Sequence, residues 1–204
     1  MDNESQRVDA ILDFWYGQPR DYVHAGEARI KFWFGGAPDV NRAIRERFAA
    51  DHRYAAENRL DHWAVPENGL LALVILLDQF SRNIYRGSSR AFEWDHKALA
   101  LSLAAIGDGR DIVMLPLQRL FLYLPLEHAE DPQMQRLSVD KFTALAEQAP
   151  EDMHETYLGF LDYAQRHKAI IERFGRFPHR NALLGRDSTA EEKEFLTQPG
   201  SSFM

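Results

Sequence analysis

The sequence predicts an all-α fold of about nine helices, arranged as stacked antiparallel helix pairs or a bundle. Three observations lead there. Apolar residues recur with a helical period almost throughout, no stretch alternates with period two for long, and the intervening segments are short and carry glycine or proline. The 204 residues are 45% apolar and 12% aromatic, enough to bury a sizeable core in one domain spanning 1–204.

Each helix has its own signal. Val8, Ile11, Leu12 and Trp15 follow the i, i+3, i+4, i+7 pattern, and Gly17 and Pro19 stop the first helix. Ile30 to Phe34 is a short second element ended by Gly35 and Gly36. Asp39 is placed to cap a third, polar helix from Val40 to about Arg59, whose thin stripe of Ile44, Phe48, Ala55 and Ala56 marks a surface position. Pro66 and Asn68 introduce a fourth that is apolar on every side from Leu70 to Leu77, as a central helix is. Ala91 to Ile106 forms a fifth, stopped by Gly107 and Gly109. Pro116 starts a sixth, ending near His128, and Pro132 a seventh, ending near Gln148. Met153 to Phe174 is a long aromatic eighth. Ser188 with Glu191 fits a capping box for a ninth running to about Leu196, and residues 197–204 read as a loosely held tail.

Composition narrows the function. A formal charge of −7 argues against a nucleic-acid surface. With no cysteine there are no disulfides, thiolate chemistry or sulfur-held metals. The polar, acidic N-terminus does not read as a signal peptide, and the longest apolar run is far short of the roughly 20 residues that span a bilayer. The expectation is a cytoplasmic protein without membrane contact. Nothing in the sequence sets its oligomeric state.

Candidate functional residues come from a near-repeat. Residues 75–87 read ILLDQFSRNIYRG and residues 169–181 read AIIERFGRFPHRN, so Phe80, Arg82 and Arg86 match Phe174, Arg176 and Arg180 at a constant offset of 94. Guanidinium forks suit carboxylate or phosphate, and two such pairs facing one cavity would make an anion site. The bland alternative pairs each arginine with Asp78 or Glu172, or with terminal carbonyls. The second copy is the stronger candidate, because Phe177-Pro178 enforces an extended turn ahead of His179, Arg180 and Asn181.

The sixth helix supplies a second constellation. Arg119, Tyr123 and Glu127 fall at i, i+4, i+8 on one stripe, Pro125 predicts a kink, and His128 and Glu130 follow. Glu127, His128 and His179 are candidate acid–base groups. An internal Arg119–Glu127 pair locking the helix is the structural alternative. Glu127 and His128 diverge by about 100° on a helix, which is poor spacing for a shared metal, and no His-Glu-x-x-His pattern is present. His167 reads as a satisfied core histidine. Gly-x-Gly-x-x-Gly, P-loop and Gly-x-Ser-x-Gly signatures are all absent, so neither a metal nor a cofactor is expected.

LLDQFSRNIYRG, RLFLYLPLEHAED and IIERFGRFPHRNALLGRDSTAEEKEFL, with LDFWYG and KFWFG near the start, resemble the bacterial family called domain of unknown function 924 over essentially the whole chain. Ser81 departs from the proline expected there. The resemblance implies a tetratricopeptide-like arrangement of helix pairs and no particular reaction. The functional expectation is therefore a module that binds an anionic small molecule or an acidic peptide through Arg82, Arg86, Arg119, Tyr123, Arg176, Arg180 and Asn181. The alternative is a cofactor-free enzyme using Glu127, His128 or His179 on an anionic substrate. A deep pocket burying Glu127 with Arg176 and His179 would favour the enzyme, and a long open groove the binder.

Overall fold

The computed structural model describes residues 3–203, and among these no residue lies in a strand. Nine helices follow in order among the described residues: α1 Asn3–Tyr16, α2 Glu27–Phe34, α3 Pro38–Ala56, α4 over 67–84, α5 Asp95–Gly107, α6 Pro116–Glu127, α7 Pro132–Glu147, α8 His154–Phe174 and α9 Ala190–Phe195. The all-α expectation holds. Short 3-10 turns at Asp61–Ala64, Ser89–Phe92, Arg110–Val113, Glu151–Met153 and Pro178–Arg180 fill the connections.

Four helix starts differ from the sequence reading, the first being α2, which begins at Glu27 rather than Ile30. Asp39 does not cap α3; Pro38 occupies the first turn after Ala37, because its fixed φ is already helical. Asp39 instead accepts from Arg42 Nη2 at 2.7 Å. The α5 helix begins four residues late, since the 3-10 turn at Ser89–Phe92 takes up the chain before it. The capping box of α9 is Thr189 with Glu192, one residue beyond the expected Ser188 and Glu191. Ser188 is engaged elsewhere, accepting from Asn181 Nδ2 at 3.0 Å.

The centre of the molecule is α4. Residues Gly69 to Ser81 are all buried, and α1, α3, α5 and α6 pack around them. Each fully buried Leu, Ile or Val here contributes roughly 1.5–3 kcal/mol of burial free energy. Trp15 ties the neighbours together, with ring centroids 5.4 Å from Phe80 and 5.3 Å from Phe121 in edge-on contact.

α4 is not uniform. Ile75–Phe80 is a π-helical turn between the α-helical stretches Glu67–Val74 and Ser81–Ile84. Just beyond it, three successive side chains bond carbonyls one turn back. Ser81 Oγ donates to Leu77 O (2.6 Å), Arg82 Nη1 to Asp78 O (2.9 Å) and Asn83 Nδ2 to Gln79 O (2.9 Å). These bonds help to satisfy carbonyls where the backbone ladder is altered. His52 is fully buried beside this turn, with Nε2 2.7 Å from Ser81 Oγ.

Residues just before the end of the described chain make specific contacts. Ser201 is buried, and the Phe203 ring stacks on His167 at 3.7 Å. Phe203 joins a small second apolar cluster of Ile170, Ile171 and Phe177.

Gly69 tests the packing of α4. A Cβ there would lie 2.2 Å from the Trp63 carbonyl oxygen, which belongs to backbone. The overpacking penalty, about 1–3 kcal/mol, should outweigh the roughly 1 kcal/mol that Ala offers over Gly in a helix. Gly69→Ala should therefore lower the urea midpoint. A higher midpoint would contradict this close contact.

Candidate functional site

The C-terminal half of α4, the end of α6, α8 and the 3-10 turn at Pro178–Arg180 enclose a cavity of about 790 Å³. Its floor is polar: Arg82, Arg86, Glu127, His128, His179 and Arg180 all line it. One wall is aromatic, with Trp33, Phe34, Phe92, Phe160, Tyr163 and Phe203. Glu155 and Arg166 also line the cavity and add one charge of each sign.

Asp78 anchors the floor. It is fully buried, accepting from His128 Nδ1 at 2.7 Å and Gln79 Nε2 at 2.6 Å, with Arg82 Nη1 3.3 Å away. Burial alone would raise its pKa, but Arg82 and His128 outweigh that and hold it well below the usual carboxylate range. Because Asp78 stays ionised, His128 must carry its proton on Nδ1, and Nε2 is left as the acceptor nitrogen. Burial and then Arg82 lower the His128 pKa against the pull of Asp78, which favours the neutral ring.

Glu127 is 4% exposed. Burial, and then the Asp78 carboxylate, push its carboxyl up to about 8, with Arg82 opposing. The sequence reading expected an arginine partner, Arg119 or one from the 173–180 segment. The closest ionisable neighbour is instead His167, whose Nδ1 donates to Tyr163 O at 2.8 Å and lies 3.2 Å from Glu127 Oε1. His167 is thus more than a satisfied core residue: it lines the cavity between Glu127 and Phe203. Burial and His128 keep its pKa well below the ordinary value.

The arginines divide. Arg82 makes a bidentate pair with Asp95, at 2.8 and 3.0 Å. Arg180, 6% exposed, reaches the same Asp95 at only 3.5 Å, donates to His128 O at 3.1 Å, and lies between the Phe92 and Phe177 rings at 4.7 and 4.5 Å. Its Nε and the Nδ1 of His179 are buried with no hydrogen-bond partner among the described residues. Burial and Arg82 lower Arg180 to about 10, and burial and Arg180 lower His179 to about 4. Arg86 is exposed at the cavity, its guanidinium 3.1–3.3 Å from where a Cβ on Gly36 would sit. Gly36 has φ +62°, so its lack of a side chain serves both the turn and the arginine. No described carboxylate pairs with Arg86.

Four expected ligand-binding residues are elsewhere. Arg119 donates to the carbonyls of Met114 and Ile112 and to Gln148 Oε1, tying down the turn before α6. The Tyr123 hydroxyl donates to Asp111 at 2.7 Å. The i, i+4, i+8 stripe therefore splits, because its first two members turn toward the 3-10 turn and α7. Arg176 forms a bidentate pair with Glu192 at 2.7 and 2.9 Å, and Asn181 bonds Ser188 and Glu192. These last two hold the base of α9 together. Glu172 is exposed and pairs with Lys168, so it compensates none of the cavity arginines. Glu130 accepts from Phe177 N and from Arg186, which fixes the Pro178 turn rather than serving as an acid or base in the cavity.

Asp95 was missed in the sequence because only the fold brings the start of α5 to the end of α4. Among the described residues no group of three or more His, Asp or Glu is arranged to hold a metal ion, and no helix is long and apolar enough to cross a membrane.

Fold and cavity together define an all-helical protein with buried acid–base groups beside a cluster of guanidinium groups. The chain belongs to the bacterial family of proteins of unknown function DUF924, whose model matches residues 11–200. It is similar to the structure of a protein of unknown function from Agrobacterium tumefaciens. The two are 34% identical with a TM-score of 0.80, over 95% of this chain and 98% of that one. No curated protein matches this chain.

Two outcomes test the assignments. Between the ordinary Glu value and about 8, native Glu127 holds a proton that the unfolded chain has lost, so its contribution to stability falls as pH rises through that window. The depressed His52, His167 and His179 act in the opposite sense, but only below about 6.5. From pH 6.5 to 8.5 stability should drop by on the order of 1–2 kcal/mol. Urea denaturation at stepped pH should show that slope in the wild type and not in Glu127→Gln; equal slopes would exclude a protonated Glu127. Separately, Arg176→Ala strands the Glu192 carboxylate, which Arg176 holds down at about 2, and should lower the Tm at neutral pH. Arg86→Ala should leave it unchanged.

Proposed function

We propose that the cavity binds a small organic anion with an apolar body. The observation that carries this reading is the convergence of Arg82, Arg86 and Arg180 on one cavity, where Asp78 and Asp95 are the carboxylates within ion-pair distance of them and Glu130, already paired with Arg186, acts on Arg180 from further off. Burial keeps Glu127 protonated at neutral pH, so it supplies no further negative charge. With Arg186 counted beside Glu130, four guanidinium groups against three carboxylates leave a positive surplus, and Arg86, exposed and without a carboxylate partner among the described residues, is its accessible part. A bound carboxylate or phosphate would complete the balance. The aromatic wall would take the apolar body. The size fits as well, since ligand cavities commonly measure roughly 300–1,000 Å³. An acidic peptide is the alternative occupant.

The test is a thermal-shift and calorimetry panel of phenylpyruvate, phenyl phosphate, decanoate and an acidic peptide. A small anion at about 100 times its Kd should stabilise the fold by about 2.7 kcal/mol. Arg86→Ala should abolish that gain without lowering the unliganded Tm. Stabilisation by the peptide alone would replace the small molecule with a peptide ligand, and no stabilisation by any member would refute the binding reading.

A further inference from the structure

We propose that this cavity is also an active site, in which His128 and Glu127 move a proton at the carbon beside the carbonyl of a bound 2-oxo carboxylate, interconverting its keto and enol forms. The inference rests on the anion-binding reading, because the arginines must first seat the carboxylate.

Three features carry it. His128 is oriented as a base is: Nδ1 is committed to the buried Asp78 at 2.7 Å, which leaves the Nε2 lone pair for the cavity that the ring lines. Glu127, the preceding residue, reaches the same cavity as a buried carboxyl and not as a member of an ion pair with arginine. Neighbouring residues on a helix normally diverge by about 100°. Here His128 is the residue that caps α6, and the two side chains settle on different partners, Asp78 and His167, while both line one space. Finally, a substrate carboxylate opposes loss of a proton from the adjoining ketone, because negative charge accumulates; Arg82, Arg86 and Arg180 would relieve that cost. A neutral base and a protonated acid beside such a clamp suffice for proton transfer without a cofactor.

The step balances. Nε2 of His128 takes the proton from C3, and the C3–H electron pair becomes the C2=C3 bond. The C2=O π pair moves onto oxygen, which takes the Glu127 proton. The product is the enol isomer, and the proton on His128 returns to Glu127 through solvent. Asp78 is a positioning residue, acting through His128.

The probe is phenylpyruvate, with a carboxylate for the arginines, a ring for the aromatic wall and an exchangeable C3 hydrogen. Exchange at C3 in deuterium oxide is followed by NMR alongside calorimetric binding. The wild type should accelerate exchange saturably. His128→Asn and Glu127→Gln should each lose roughly 100-fold or more while binding the probe as before. If His128→Asn fails to fold, Glu127→Gln and the wild-type pH profile, expected to be bell-shaped, carry the test. Binding without acceleration, or acceleration that survives in folded His128→Asn, would overturn the proton-transfer role and leave the binding reading intact. Failure of phenylpyruvate to bind would overturn this substrate class, whatever the rest of the panel shows. Hydrolysis of 4-nitrophenyl hemisuccinate with no C3 exchange would make His128 a base toward water and would also overturn the inference.

Discussion

A carboxylate buried in the middle of an apolar helix dictates much of what surrounds it. Isolated in a protein interior, an ionised Asp is costly; it persists only with charge and hydrogen bonds arranged about it. Asp78 obtains them from His128, Gln79 and Arg82. Arg82 then needs a second acid, and Asp95 at the start of α5 provides it. Arg180 arrives at the far side of Asp95 with weaker compensation. Through this chain of requirements α4, α5, α6 and the Pro178 turn are held at one place, and the raised carboxyl of Glu127 is partly a consequence of Asp78 lying near.

The network also separates two kinds of arginine in this protein. Arg82 and Arg176 each face a carboxylate with matched fork geometry and are internally satisfied. Arg86 and Arg180 are not matched in this way. Incomplete internal pairing leaves Arg86 and Arg180 with hydrogen-bonding capacity that Arg82 and Arg176 have largely spent on carboxylates.

Much of the architecture was legible because it depends on local rules. The helical period, the terminal glycines and the proline starts gave the elements, and the unbroken apolar run from Leu70 to Leu77 located the central one. The residues at the cavity were legible in type: Arg82, Arg86, Glu127, His128, His179 and Arg180 all line it. Their pairing was not. Arg119 and Tyr123 share a stripe with Glu127 on a bare helix, yet carbonyls near Met114 and the acid of Asp111 draw them away once the neighbouring turn is folded. His167 read as an ordinary core histidine because its neighbours on α8 are apolar in sequence, while its actual neighbours Glu127 and Phe203 lie 40 and 36 residues distant. Long-range partners of this kind leave no mark in periodicity.

The π-helical turn at Ile75–Phe80 bears on why two nearly identical segments behave so differently. A wider turn alters the angular phase of everything beyond it, since each residue of a regular helix advances by about 100°. In the first segment the helix passes through this turn and continues, so Arg82 stays on the same rod as Asp78. In the second, Gly175 at φ +68° leaves the helix before Arg176 is reached. The letters align at a fixed offset, but one copy is read along a rod with a phase slip and the other around a corner. α4 can thereby present apolar side chains to the core over its first half and Arg82 to the cavity over its last turn, a division of labour that a helix of constant pitch would have to achieve by bending.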